Sequence, residues 1–237
     1  MTDNKNIVVL TGAGISAESG IRTFRDTGGL WEDYPIEQVA TPQGYAADPA
    51  LVHRFYNQRR AQLSTVEPNA AHIALARLEK GLIERGGYLT IVTQNVDDLH
   101  ERGGADTVIH MHGELRSHLC AKCGSRWPSG AETSLESVCP KCETVGKVRP
   151  DIVWFGEMPY RMDTIETTIL NCDLFVSIGT SGAVYPAAGY VQMARALDKA
   201  TLEINLERSE GSHFFDETRL GKAGELVPAW VDEVLSS

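Results

Sequence analysis

Two Cys-x-x-Cys pairs, Cys120/Cys123 and Cys139/Cys142, stand 15 residues apart, a spacing that belongs to four-thiolate zinc sites. Two intervening residues let one tight turn present both sulfurs to a single ion, and two such turns complete a tetrahedral set of protein ligands. Gly124 follows the first pair and Pro140 lies inside the second, residue types that tight turns recruit. Two other readings compete. A disulfide framework wants an oxidising compartment, yet Met1 to Asn6 lacks the charged-then-apolar pattern of a secretory signal. A redox Cys-x-x-Cys needs one pair, not two. The spacing therefore predicts one structural zinc with all four positions filled, which leaves the chemistry to be found elsewhere.

Thr11-Gly12-Ala13-Gly14-Ile15-Ser16-Ala17 comes directly after the apolar run Ile7 to Leu10. It matches the glycine-rich turn in which bare backbone approaches a pyrophosphate at a helix start. A hydride-transferring dehydrogenase would show a further apolar strand ending in an acid about 20 residues on. That place holds Gly28-Gly-Leu-Trp-Glu-Asp-Tyr-Pro35, which reads as loop. The pattern thus predicts nucleotide binding without plain hydride transfer. Arg22-Thr23-Phe24-Arg25-Asp26 reads either as a charged surface loop or as a closure over the ligand, since loops of this kind carry both roles.

Four further polar clusters end predicted strands. Thr93-Gln94-Asn95-Val96-Asp97 offers amides and a carboxylate to ribose hydroxyls or a ring amide, or else simply caps a helix. In Val108-Ile-His110-Met-His112-Gly113, alternation places both histidines on one face, where imidazole is the natural general base near neutral pH; two structural histidines are the alternative. Gly179-Thr180-Ser181 and Asn205 follow two more runs. Ligands of open α/β sheets sit at the carboxyl ends of strands, so all five clusters converge on one edge. Tyr56 and Arg59, three apart on a predicted helix, share a face. By pattern alone they are an exposed pair, although a phenol beside a guanidinium fork also suits a carboxylate.

The elements that must carry these groups alternate. Ile7–Leu10, Leu89–Val92, Leu174–Ile178 and Thr201–Ile204 are short apolar or β-branched runs suited to a parallel sheet buried on both faces. Asn69 is placed to cap a helix over Ala70–Glu84 that Gly86-Gly87 stops, with further helices over Ala187–Leu197 and Pro228–Leu235. The prediction is an α/β fold: a Rossmann-like, doubly wound parallel sheet formed by residues 1–23, 86–115 and 150–237, with a helical insert at 24–85 and a small zinc-binding insert at 116–149. With 42% hydrophobic and 23% charged residues in 237, the composition is that of an ordinary globular chain. A net charge of −10 argues against a nucleic-acid partner, and no apolar stretch reaches the length of a membrane span. A cytoplasmic, monomeric protein is expected. Cys172, between Leu170 and Leu174, is expected in the core.

Gly12 to Arg25, Thr93 to Asp97, His112-Gly113, the four cysteines, Phe155-Gly156-Glu157 and Gly179 to Ser181 together resemble the sirtuins, NAD-dependent protein-lysine deacylases, in the family's order over nearly the whole chain. The resemblance implies that NAD is consumed, and that acyl-lysine proteins are converted to free lysine with release of nicotinamide and O-acyl-ADP-ribose. It implies that Gly12, Ala13, Gly14, Ser16, Arg22, Thr23, Phe24 and Arg25 line the NAD site, with Gln94, Asn95 and Asp97 around the nicotinamide and its ribose. Gly179, Thr180, Ser181, Asn205, Leu206 and Glu207 would hold the adenosine half, with Ala223 near the adenine. His112 would be the general base, and Phe155, Gly156 and Glu157 would pair with the substrate peptide as an added strand. The Tyr56-x-x-Arg59 pair and the small Ala40 resemble the acyl pocket of class III sirtuins, which implies succinyl, malonyl and glutaryl substrates with acetyl as a second activity. A protein ADP-ribosyltransferase using the same crevice, or an NAD sensor with a zinc interaction module, are the alternatives.

Overall fold

The structure, a computed structural model, describes residues 5–22, 30–31 and 34–236. Six parallel strands make the main sheet: β1 (Asn6–Thr11), β4 (Tyr88–Thr93), β5 (Val108–His110), β9 (Leu174–Ile178), β10 (Ala200–Asn205) and β11 (Glu217–Leu220). Their spatial order is β5-β4-β1-β9-β10-β11. Read outward from β1, the chain adds two strands on one side and then three on the other, the doubly wound arrangement of dinucleotide-binding folds. The switch point therefore falls between β1 and β9, directly below Gly12 and Gly179.

β1 explains why its residues make a central strand. Ile7 and Val9 face one layer, packed with Leu75, Leu78, Ile91, Val176, Val227 and Trp230. Val8 and Leu10 face the other, packed with Val92, Ile165, Ile169, Phe175 and Val191. Alternate side chains of a strand point to opposite faces, so only a run apolar at every position satisfies both layers. The first layer is covered by α5 (Ala70–Glu84) and α9 (Ala223–Ser236), the second by α7 (Met162–Asn171) and α8 (Tyr190–Ala196). Cys172 is fully buried in the second layer.

α5 starts and stops where its residues dictate. The Asn69 side chain accepts from Ala71 N–H at 2.9 Å, and His72 Nδ1 accepts from Asn69 N–H at 3.3 Å. Gly86, at φ +76°, supplies the left-handed residue that ends it. α9 begins at Ala223, earlier than the expected Pro228. Pro228 lies inside the helix and is not its first residue. β11 and α7 were not among the expected elements.

After β1 comes the short α1 (Ala13–Ser16), then a two-residue hairpin, β2 (Leu30–Trp31) with β3 (Tyr34–Pro35), in the stretch expected to be loop. Three helices follow, α2 (Ile36–Val39), α3 (Pro42–Ala47) and α4 (Pro49–Gln62), while the turn α6 (Leu99–Arg102) lies between β4 and β5. A separate antiparallel sheet, β7-β6-β8, is built from β6 (Gly113–Cys120), β7 (Arg126–Pro128) and β8 (Val148–Ile152). Val52, Phe55, Tyr56 and Ala40 of the helical segment pack on Leu115, Ile152 and Trp154, which ties α4 to that sheet.

Candidate active site

The carboxyl ends of the strands meet at bare backbone. Gly12 N–H donates to Ile178 O at 3.0 Å and Gly14 N–H to Gly179 O at 2.9 Å. A Cβ at Gly14 would lie 2.7 Å from Gly179 Cα, and Gly179 holds φ +63°. No side chain fits between β1 and β9 here, which is the physical reason for glycine at both places.

On β4's side of the crevice Gln94 N–H donates to Thr11 O at 2.9 Å. The Asn95 amide donates to Gly12 O and to Ser16 Oγ, each at 3.1 Å. Ser16 Oγ–H in turn donates to Asp97 Oδ2 at 3.0 Å, and Asp97 Oδ1 accepts from Leu99 N–H at 3.1 Å. Asp97 thus holds the first N–H of α6 and also joins the polar network. Burial pushes the Asp97 carboxyl up, and the Leu99 and Ser16 bonds offset part of that rise.

Both histidines turn toward this segment, as alternation predicts, with fully buried Met111 on the other side. His112 Nδ1 lies 3.1 Å from Gln94 O. A carbonyl only accepts, so Nδ1 carries the hydrogen and Nε2 keeps its lone pair. Burial lowers the His112 pKa, and the bond to Gln94 opposes this only in part. The ring is therefore neutral at pH 7, as a base must be. His110 differs. Burial would lower it, but Glu101 at 2.6 Å, aided by Glu114 and the Asn95 carbonyl, raises it overall.

On the far side of the switch point, Asn205 Nδ2 donates to Thr180 O at 2.7 Å and Thr180 Oγ1 meets Ser177 Oγ at 2.8 Å. Ser181 O accepts from Glu210 N–H at 3.1 Å. Leu206 and Glu207 are exposed, and Ala223 is buried at the start of α9. Arg22 is exposed at the end of the described stretch; Thr23, Phe24 and Arg25 lie outside the described residues.

Arg59 lines a depression with Ile21, Gln62, Leu63, Val96, Asp97 and Leu115, which places it beside the Asp97 end of the crevice. Its guanidinium carbon sits 5.4 Å from the Phe55 ring centre. Tyr56 is fully buried and its oxygen accepts from Trp154 Nε1–H at 3.0 Å. Burial raises the Tyr56 pKa, so the phenol stays protonated. The pair expected to be exposed by pattern is thus buried or half-buried. Phe155-Gly156-Glu157, expected to pair with a substrate peptide, forms a turn. Gly156 has φ +91°, Phe155 N–H donates to Ala40 O at 2.9 Å, and the Glu157 carboxylate binds Arg149 through both oxygens at 2.8 and 2.9 Å. Arg149 also lies 3.5 Å over the Trp154 ring. Sequence reasoning missed Trp154 and Arg149; only the apolar surroundings of Tyr56 could have pointed to them.

The four cysteine sulfurs all lie within 4.8 Å of one another, with Cys120–Cys142 and Cys123–Cys139 at 3.7 Å. Four zinc–sulfur bonds of about 2.3 Å in a tetrahedron put sulfurs about 3.8 Å apart, whereas a disulfide needs about 2.05 Å. The knuckles are alike. Gly124 N–H returns to Cys120 O and Glu143 N–H to Cys139 O, each at 2.9 Å, with φ +71° and +56° at the closing residues. The set fits a structural zinc.

A doubly wound sheet with a main-chain crevice at its switch point and a four-thiolate lobe beside it defines a nucleotide-binding α/β protein of the Rossmann type. The chain belongs to the Sir2 family, whose sequence model matches residues 12–186. It is 56% identical over 230 residues to an NAD-dependent protein deacylase of Caulobacter vibrioides, covering 97% of each chain. A second such deacylase, from Pasteurella multocida, is 54% identical over 99% of this chain and 100% of its own length. Among solved structures, a Sir2 homologue in complex with NAD superposes with a TM-score of 0.88 at 38% identity, covering 98% of this chain and 90% of that one. A Sir2 protein bound to acetylated peptide superposes with a TM-score of 0.81 at 26% identity, over 97% of this chain and 93% of the other.

Proposed function

We propose that this chain is an NAD-dependent protein-lysine deacylase that removes succinyl and malonyl groups as well as acetyl. It is an enzyme that consumes NAD, acts on acyl-lysine proteins and carries one structural zinc. The observation that carries the reading is His112: a half-buried, neutral imidazole with a fixed tautomer and a bare Nε2, at the same strand ends as the glycine turn. Gly12, Ala13, Gly14 and Ser16, with Arg22, Thr23, Phe24 and Arg25, line the NAD site. Gln94, Asn95 and Asp97 surround the nicotinamide ribose. Gly179, Thr180, Ser181, Asn205, Leu206 and Glu207 take the adenosine half, and Ala223 lies near the adenine. Bound NAD supplies the ribose carbon that accepts the acyl oxygen as nicotinamide leaves. His112 takes a ribose hydroxyl proton at Nε2, while Asn95 and Asp97 hold that ribose in place.

The acyl group enters beside Ala40, whose small side chain leaves room. Arg59 offers a planar fork to a terminal carboxylate and Tyr56 a hydroxyl donor. Phe155, Gly156 and Glu157 edge the peptide cleft. In this reading residues 1–23, 86–115 and 150–237 form the NAD domain, 24–85 the acyl-pocket insert and 116–149 the zinc module, in a cytoplasmic monomer without nucleic acid. No helix among the described residues is long and apolar enough to cross a membrane.

The test is NAD-dependent nicotinamide release with matched acetyl-lysine and succinyl-lysine peptides, in wild type and Arg59→Met. Selective loss of the succinyl reaction in the variant supports the pocket. Equal loss on both peptides makes Arg59 a fold residue, and no turnover of either by wild type favours the ADP-ribosyltransferase or sensor reading.

A further inference from the structure

Glu203 stands in the middle of β10, a buried central strand, with 1% of its surface exposed. Its neighbours Leu202 and Ile204 enter the apolar layer under α9, so Glu203 points to the opposite face, as do Thr201 and Asn205. Cross-strand register sets it between Ser177 of β9 and Thr218 of β11. Its carboxylate gathers three donors: Ser209 N–H at 3.3 Å, Ser212 Oγ–H at 2.5 Å and Thr218 Oγ–H at 3.3 Å. Two of these belong to the loop between β10 and β11, which leaves the sheet at Asn205.

A buried acid costs folding energy unless it is well partnered, and an apolar residue would fill a central strand at less cost. The partners show what the acid does. The same loop is held from outside by Ser181 O, which accepts from Glu210 N–H at 3.1 Å, and at its root by Asn205, whose amide donates to Thr180 O. Glu203 grips it from beneath. Asn205, Leu206 and Glu207 lie along the part of the chain so fixed, with Ser181 bonded to it from the β9 side.

We propose that Glu203 is a positioning residue for NAD: its carboxylate holds the loop after β10 in the shape that receives the adenosine half, without touching the ligand. This rests on the reading that the loop lines the NAD site. Both carboxylate oxygens are in use, so Glu203→Gln keeps the shape but surrenders at least one accepted bond, because an amide nitrogen cannot accept. The loop is loosened only at the adenosine end.

The experiment measures ADP-ribose affinity by titration calorimetry on the zinc-loaded full chain, with nicotinamide inhibition and peptide KM alongside. For Glu203→Gln we expect ADP-ribose binding and KM for NAD to weaken about tenfold, the equivalent of about 1.4 kcal/mol. Nicotinamide inhibition, peptide KM and kcat at saturating NAD should stay within about twofold. A general loss of stability would lower the melting temperature and the active fraction without splitting these constants. Ser212→Ala removes one donor from the loop side, should weaken ADP-ribose binding by a smaller factor, and serves if Glu203→Gln does not fold. Unchanged ADP-ribose affinity in a folded Glu203→Gln, or in Ser212→Ala where only that variant folds, overturns the proposal. Wild type that fails to bind ADP-ribose overturns instead the reading of the crevice on which it rests.

Discussion

His110 and His112 stand two residues apart, bond neighbouring carbonyls and titrate in opposite directions. Burial lowers His112; at His110 burial is outweighed by Glu101, and the pKa rises. A base works in its deprotonated form, so kcat/KM should climb with pH through an inflection below the ordinary histidine value of about 6.5. A pH–rate profile with its inflection at or above that value would remove His112 from the role. His112→Ala should lose at least about a hundredfold in kcat while keeping ADP-ribose affinity within about twofold, read by calorimetry. Retention of more than about a tenth of the activity would defeat the assignment. Spacing alone singled out both histidines and could not divide their roles. The division comes from Glu101, which is close to His110 only once α6 and β5 are folded together.

At the scale of elements, the signals that survived reading were those in which one local pattern decides the outcome. β1, β4 and β9 carry apolar residues on both faces, β10 shows Leu202 and Ile204 on one face against Thr201, Glu203 and Asn205 on the other, and α5 carries its own cap and stop. β11 is an edge strand of Glu, Thr, Arg and Leu, with neither alternation nor a full apolar run, so only pairing with β10 makes it a strand. α9 was read from its proline onward because proline favours a first turn; packing against α5 extends it back to Ala223. The turn at Phe155 to Glu157 is held by Arg149, only eight residues from Glu157, and by Ala40, which is remote in sequence. The cysteine knuckles were legible because their geometry is local. Metal analysis should return one zinc per chain. Cys139→Ser should lose that zinc and lower the unfolding midpoint by about 5–10 °C. A variant with unchanged zinc content and midpoint would show that the site holds no structural metal.

For the molecule as a whole, two histidines tie stability to pH. His72 and His100 pack at 4.9 Å between ring centres, and His100 Nε2 meets Thr11 Oγ1 at 3.0 Å. Burial depresses both pKa values, His72 to about 4 and His100 well below the ordinary value. The unfolded chain then takes up protons before the folded one, so this stability is present above about pH 6.5 and is lost as pH falls towards 4. The melting temperature should drop through that window, and His72→Gln should flatten the drop; an equal slope in the variant would place the acid sensitivity elsewhere. The contact between Gly14 and Gly179 has a different kind of consequence. The floor of the crevice is made of main-chain atoms, which every amino acid shares, so substitution cannot retune it by degrees: a change there either leaves it as it is or closes it. In the proposed function the acyl end is written in side chains, Tyr56 and Arg59 on α4 with Ala40 before it. Drift in this lineage, or selection in the laboratory, can therefore alter which group is removed from lysine far more easily than which molecule is consumed in removing it.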